Sequence, residues 1–133
     1  EVVVANRSRD KAEALVDRHA AWARQHGVPL RASGLADCGT GFGIVLNSSA
    51  SSLAGGPVPV DAAVLAPGAL AVDLMYGPAA RPFLDWAQAH GAQGRDGLGM
   101  LVEQAAESFA LWRGVRPDSA PVLAELRQLI EAG

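Results

Sequence analysis

"VVVANRSRDKAEAL", residues 2–15, runs from an apolar stretch through a polar turn into a helical pattern. Val2 to Ala5 are continuously apolar rather than alternating, the mark of a strand buried on both faces. Ser8 stands where an N-cap belongs. From Arg9 to about His26 the apolar positions Ala12, Leu15, Val16, Ala20 and Ala23 recur at helical spacing, and Gly27 closes the helix. A strand that feeds a helix through a short turn is the opening of a parallel α/β unit.

The same alternation continues along the chain. A short strand is expected around Leu30 to Ala32, a Gly-rich loop from Gly34 to Gly43, and a buried strand over Ile44 to Leu46 that ends at Asn47. The run "SSASSLAGGPVPVD", residues 48–61, reads as loop, with a short helix over 61–65. Ala69 to Leu74 form another strand. Pro82 suits the first turn of a helix from about Arg81 to His90, closed by Gly91. A short extended piece near Gln93 leads to the Asp96-Gly97 turn. Helices from about Leu98 to Arg113 and from about Ser119 to Glu131 complete the chain. The fold class is therefore α/β, a Rossmann-like parallel sheet covered by helices on both faces, with further helices appended at the C-terminus. Ligands in such sheets bind beyond the carboxyl ends of the strands, at Asn6-Arg7-Ser8, Asn47-Ser48-Ser49, Met75-Tyr76 and Asp96-Gly97.

Composition narrows the class. Half of the 133 residues are hydrophobic, 19% are charged, and the net charge is −3, without the clustered Lys and Arg of a nucleic-acid surface. Apolar runs such as Ala69 to Val72 fall far short of the roughly 20 residues of a membrane helix, so no membrane partner is expected. A lone cysteine, Cys38, reads as a small packed hydrophobe and points to a reducing cytoplasm. Glu1 is not a Met and the strand is under way by Val2, so the chain reads as the later part of a longer protein. The first strand and Gly-rich loop of a dinucleotide fold would then lie upstream, and their absence would leave neighbouring strands with unpaired edges.

In dinucleotide folds an acid at the end of the second strand takes the adenosine ribose hydroxyls and repels a 2′-phosphate. Here that spot carries Asn6, Arg7 and Ser8, a guanidinium with two small polar side chains at a helix N-terminus, followed by Arg9 and Lys11. Such a turn suits NADP rather than NAD. Read alone, it is also an ordinary solvated helix cap.

"ANRSRDKAEAL", "VLNSS", "AVDLMYGPAARPFLDWAQAHG" and "DGLGMLVEQAAESFALWRGVRPD" occur in this order. Together they resemble the shikimate dehydrogenase family over nearly the whole chain, most specifically from Gly97 to Gly114. The resemblance implies that residues 1–133 are a partial NADP-binding domain with C-terminal helices, and that a substrate domain lies outside this chain. It implies that Asn6, Arg7, Ser8 and Lys11, with Arg9 in a lesser role, hold the adenosine phosphate. Asn47 and Ser48 would line the nicotinamide side, and Leu74 and the Gly97 backbone would approach the ring. Tyr76 and Gln104 would reach bound shikimate. The implied reaction is reversible NADPH-dependent reduction of 3-dehydroshikimate to shikimate, with proton transfer by a Lys-Asp pair of the substrate domain. Lys11 is the only lysine here, so no catalytic residue is assigned to this chain. Leu74 stands where the family commonly has Met, Gly43 where it often has an acid, and Arg81 where it often has Thr.

Each assignment has a plainer counterpart. Tyr76 could be an ordinary strand-end aromatic. Gln104, among Leu101, Val102, Ala105 and Ala106, reads as an amide interrupting an apolar face, satisfied by substrate or by neighbouring backbone. Trp86, Phe109 and Trp112 read as core, with Trp22 covering the surface more loosely. His19, His26 and His90 lack ligand spacing, so no metal is expected. Two alternatives remain: a quinate/shikimate dehydrogenase using NAD, and a non-catalytic dinucleotide-binding module. A homodimer stays open as the assembly.

Overall fold

A computed structural model describes residues 1–49 and 57–132. Part of the Ser/Gly/Pro stretch read as loop, residues 50–56, lies outside the described residues. The chain divides into two units, Glu1–Gly41 with Pro59–Val64, and Phe42–Val58 with Leu65–Gly133.

In the first unit, strand β1 (Val2–Ala5) pairs in parallel with β2 (Leu30–Ser33), and helix α1 (Arg9–Gln25) forms the crossover between them. Ala12 and Ala23 are the helix residues that become buried. They lie eleven positions apart, about three helical turns, so both small side chains fall on one stripe. Cys38 is buried, as a small packed hydrophobe would be. The carbonyl of Cys38 accepts from the Arg31 guanidinium at 2.7 Å.

The second unit is a three-stranded parallel sheet in the order β3 (Phe42–Asn47), β4 (Leu65–Asp73), β5 (Gln93–Arg95). Pro67 and Gly68 fall where the β3–β4 register shifts, which suits a residue unable to donate to the ladder. Small Ala69 and Ala71 on β4 let helix α2 (Arg81–Ala89) pack closely, and Phe83, Ala87 and Ala92 close a core against them. Burial of Phe83 alone contributes roughly 1.5–3 kcal/mol. Helices α3 (Leu98–Arg113) and α4 (Ser119–Ala132) follow. The parallel α/β pattern holds, distributed over two sheets. Among the described residues no helix is long and apolar enough to cross a membrane.

Three readings of burial need correction. Strands β1 and β3 are not buried on both faces: Val45 packs on the core, but Ile44 and Leu46 are each 64% exposed. Side chains alternate across a strand, and β3 has a single strand partner with one covered face among the described residues. Phe109 and Trp112 are not core, at 46% and 80% exposure, whereas Trp86 does pack on the core. The buried stripe of α3 is Leu98, Val102 and Ala106, spaced by four; Phe109, eleven residues after Leu98, continues the same line, but burial along it ends at Ala106, and Trp112 lies a further turn on. Gln104 is exposed for a different reason, since it sits two residues after Val102, about 200° round the helix.

Candidate functional site

The carboxyl end of β1 presents the turn Asn6-Arg7-Ser8. The Asn6 N–H donates to the Ser33 carbonyl at 3.2 Å, which continues the β1–β2 ladder by one residue. Its side-chain Oδ1 accepts from the Ser8 N–H at 2.9 Å and sets the turn. Ser8 has extended backbone angles, as an N-cap should, but its side chain makes no capping hydrogen bond. The cap bond that forms runs from the Lys11 N–H to the Ser8 carbonyl at 3.1 Å. The side chains of Arg7 and Lys11 are exposed and have no hydrogen-bond or ion-pair partner among the described residues. Arg9 differs, because its Nε meets Glu13 Oε1 at 3.0 Å. The first turn therefore offers two uncommitted cations and the positive end of a 17-residue helix.

The second unit builds its strand ends quite differently. Asp73, the last residue of β4, is wholly buried. Its Oδ2 accepts from Asn47 Nδ2 at 3.1 Å and its Oδ1 from the Met75 N–H at 2.9 Å. One carboxylate thus sets both the Asn47 side chain, at the end of β3, and the path by which the chain leaves β4. Asn47 Oδ1 in turn accepts from the Ser49 N–H and hydroxyl, at 3.1 and 2.7 Å. Ser48 lies exposed beside it.

Leu74 and Gly97 are brought together. The Gly97 N–H donates to the Met75 carbonyl at 2.8 Å, and a Cβ on Gly97 would lie 2.2 Å from the Leu74 carbonyl oxygen. No side chain fits there, so glycine is required by contact alone. Tyr76, between Met75 and the turn Gly77–Ala80, is 45% exposed, with its ring available at the strand end. Gln104 is not gathered into this group by any hydrogen bond of its side chain among the described residues.

Asp96, next to Gly97, receives both arms of the Arg127 guanidinium at 2.6 and 2.7 Å. Burial works to raise its carboxyl. The Arg127 hydrogen bonds and charge, with the N–H groups of Leu98 and Gly77, outweigh burial and hold it below the ordinary carboxylate value. The same contact raises Arg127 further above its ordinary value.

The family model for the shikimate 5′-dehydrogenase C-terminal domain matches residues 97–127, from the tight glycine to the Arg127 clamp. A shikimate dehydrogenase (NADP(+)) of Methylibium petroleiphilum is 68% identical over 98% of this chain and 44% of its own length. The chain belongs to the shikimate dehydrogenase family. It spans just under half the length of the curated family members it matches. Among solved family structures, shikimate 5-dehydrogenase of Thermus thermophilus in complex with shikimate aligns with a TM-score of 0.77 at 31% identity. That alignment covers 98% of this chain and 46% of the other. The same enzyme in complex with NADP(H) and shikimate aligns with a TM-score of 0.68 at 28% identity, over 96% and 46% of the two chains.

Sequence reasoning missed Asp73 and Arg127. An acid inside the apolar run "ALAVDLM" is a usable signal for Asp73, since a buried carboxylate must be satisfied. Nothing local marks Arg127, whose partner is remote in sequence.

Proposed function

We propose that this chain is the NADP-handling part of an enzyme that reversibly reduces 3-dehydroshikimate to shikimate in aromatic amino-acid (chorismate) biosynthesis. The 68% identity to an NADP(+)-named shikimate dehydrogenase over almost the whole chain carries the reading. Residues 1–133 are read as a partial NADP-binding domain, and the substrate domain as another part of the full-length protein. NADPH supplies the reducing equivalent. Arg7 and Lys11, whose side chains are free of partners among the described residues, hold the adenosine phosphate with Asn6 and Ser8, while Arg9 contributes less because Glu13 already occupies it. The absence of an acid at Asn6 removes the charge that would repel a 2′-phosphate.

At the other strand ends, the Leu74 side chain and the bare Gly97 backbone face the nicotinamide, bounded by Asn47 and Ser48. The Tyr76 hydroxyl hydrogen-bonds the polyol substrate. Gln104 keeps its proposed role as a second substrate contact, and its exposure leaves its amide open to a ligand. The protein's contribution here is alignment. Proton transfer is assigned to a Lys-Asp pair outside this chain, so the 133 residues alone lack dehydrogenase turnover. Cytoplasmic residence and a homodimer belong to the same reading.

Steady-state assay of the full-length protein tests it, with shikimate or quinate and NADP or NAD. Shikimate oxidation with a clear preference for NADP is expected. No turnover of shikimate, or equal use of both dinucleotides, overturns it.

A further inference from the structure

Asp96 is the point where three chain segments meet. Its side chain is almost completely removed from solvent, at 6% exposure. Arg127 forks onto both oxygens, the Leu98 N–H donates to Asp96 Oδ1 at 3.3 Å, and the Gly77 N–H adds to the stabilisation of the same carboxylate. Gly77 directly follows Tyr76, and Gly97 directly follows Asp96. The Gly97 N–H is itself tied to Met75, and its Cα is pressed against the Leu74 backbone. Helix α4 touches this crossing a second time, because Ile130 is the nearest group to Gly77, 3.1 Å from where a Cβ would stand.

We propose that Arg127 is a positioning residue: through Asp96 it holds the exit of β4 and the entry to α3 so that Tyr76 and the Gly97 backbone are presented to the substrate and the nicotinamide. This rests on the function proposed above. The fork explains the residue type, since a guanidinium bonds both carboxylate oxygens in one plane and an ammonium gives only a point charge. Helix α4 has no fully buried residue of its own, so its placement depends on contacts of this kind. A second ion-pair set nearby serves as an internal control. Arg116 joins Glu103 and Glu107, all with exposed side chains, and among the described residues none of the three has a side-chain hydrogen bond or ion pair to the Leu74–Gly77 or Gly97 segments.

The test uses the full-length protein with Arg127→Met, Arg127→Lys and Arg116→Met, with shikimate and NADP each varied and the folded fraction measured separately. Displacement of groups around a reacting centre costs up to about 100-fold in rate. Arg127→Met is expected to raise the KM for shikimate by about tenfold and lower kcat, with the KM for NADP within about twofold of the parent. Arg127→Lys falls between, and Arg116→Met matches the parent. An unchanged shikimate KM in both Arg127 variants, with kcat per folded molecule also unchanged, overturns the proposal. So does an equal shift with Arg116→Met. If Arg127→Met does not fold, Arg127→Lys and Asp96→Asn carry the same comparison.

Should the parent protein fail to oxidise shikimate, the proposed function falls, and amide exchange on the same proteins then decides the positioning claim. Faster exchange at Gly77 and Gly97, with β4 and β5 amides unchanged, supports it. Unchanged exchange at Gly77 and Gly97 overturns it.

Discussion

The turn after β1 and the strand ends of β3, β4 and β5 are both polar segments at the carboxyl ends of parallel strands, yet they are built on opposite principles. The first keeps Arg7 and Lys11 exposed and uncommitted, with only backbone bonds and Asn6 shaping the turn. The second buries two carboxylates, Asp73 and Asp96, and uses each to fix backbone and side chains around it. A region that recognises a phosphate needs available charge. A region that aligns reacting groups needs fixed geometry, and it obtains this by satisfying every buried polar group.

The largest expected effect breaks the second region alone. Gly97→Ala places a methyl group 2.2 Å from the Leu74 carbonyl, so the two segments must part. A loss of roughly 2–4 kcal/mol is expected from such overpacking, read by denaturant unfolding. An unfolding curve within error of the parent would show that the crossing has room for a side chain at Gly97.

Next comes the first region. Arg7→Glu in the full-length protein should leave stability within about 0.5 kcal/mol, as for other exposed substitutions. It should cost NADP roughly 10- to 100-fold in affinity while sparing NAD, since a charged hydrogen bond is worth about 1.5–3 kcal/mol. Unchanged discrimination between the dinucleotides would remove the phosphate role of the turn.

Acid sharpens the comparison further. Asp96 is held below its ordinary value, so its pairing with Arg127 contributes stability that is complete above the unfolded carboxyl value of about 4. That contribution is lost as pH falls through the depressed folded value. Asp96→Asn should therefore be less stable than the parent at pH 7, and the gap should close in strong acid; a pH-independent gap contradicts the ion pair. The smallest effect is expected for Arg9→Ala, whose exposed bridge to Glu13 is worth about 0.3–0.5 kcal/mol and should fade with added salt.

How much of this is legible in the sequence varies with the range of the interaction. Helix α3 has the bounds its sequence predicts, Leu98–Arg113, because its beginning follows a turn and its end precedes Gly114, both local signals. Strand β4 starts earlier than its sequence suggests, because Pro67 and Gly68 look like breakers while an irregular register accommodates them. Gln104, Phe109 and Trp112 mislead because α3 carries apolar residues all round, and periodicity cannot tell which stripe a neighbour covers or how far along the helix the cover reaches.

By itself the sequence determined the order of strands and helices, the cationic turn after β1 and the family, since each rests on residues adjacent along the chain. Only the tertiary structure decided that Asp73 orients Asn47, that Gly97 has no room for a side chain, and that Arg127 closes on Asp96. Those facts depend on close approach between distant segments, and packing distances are absent from a linear string.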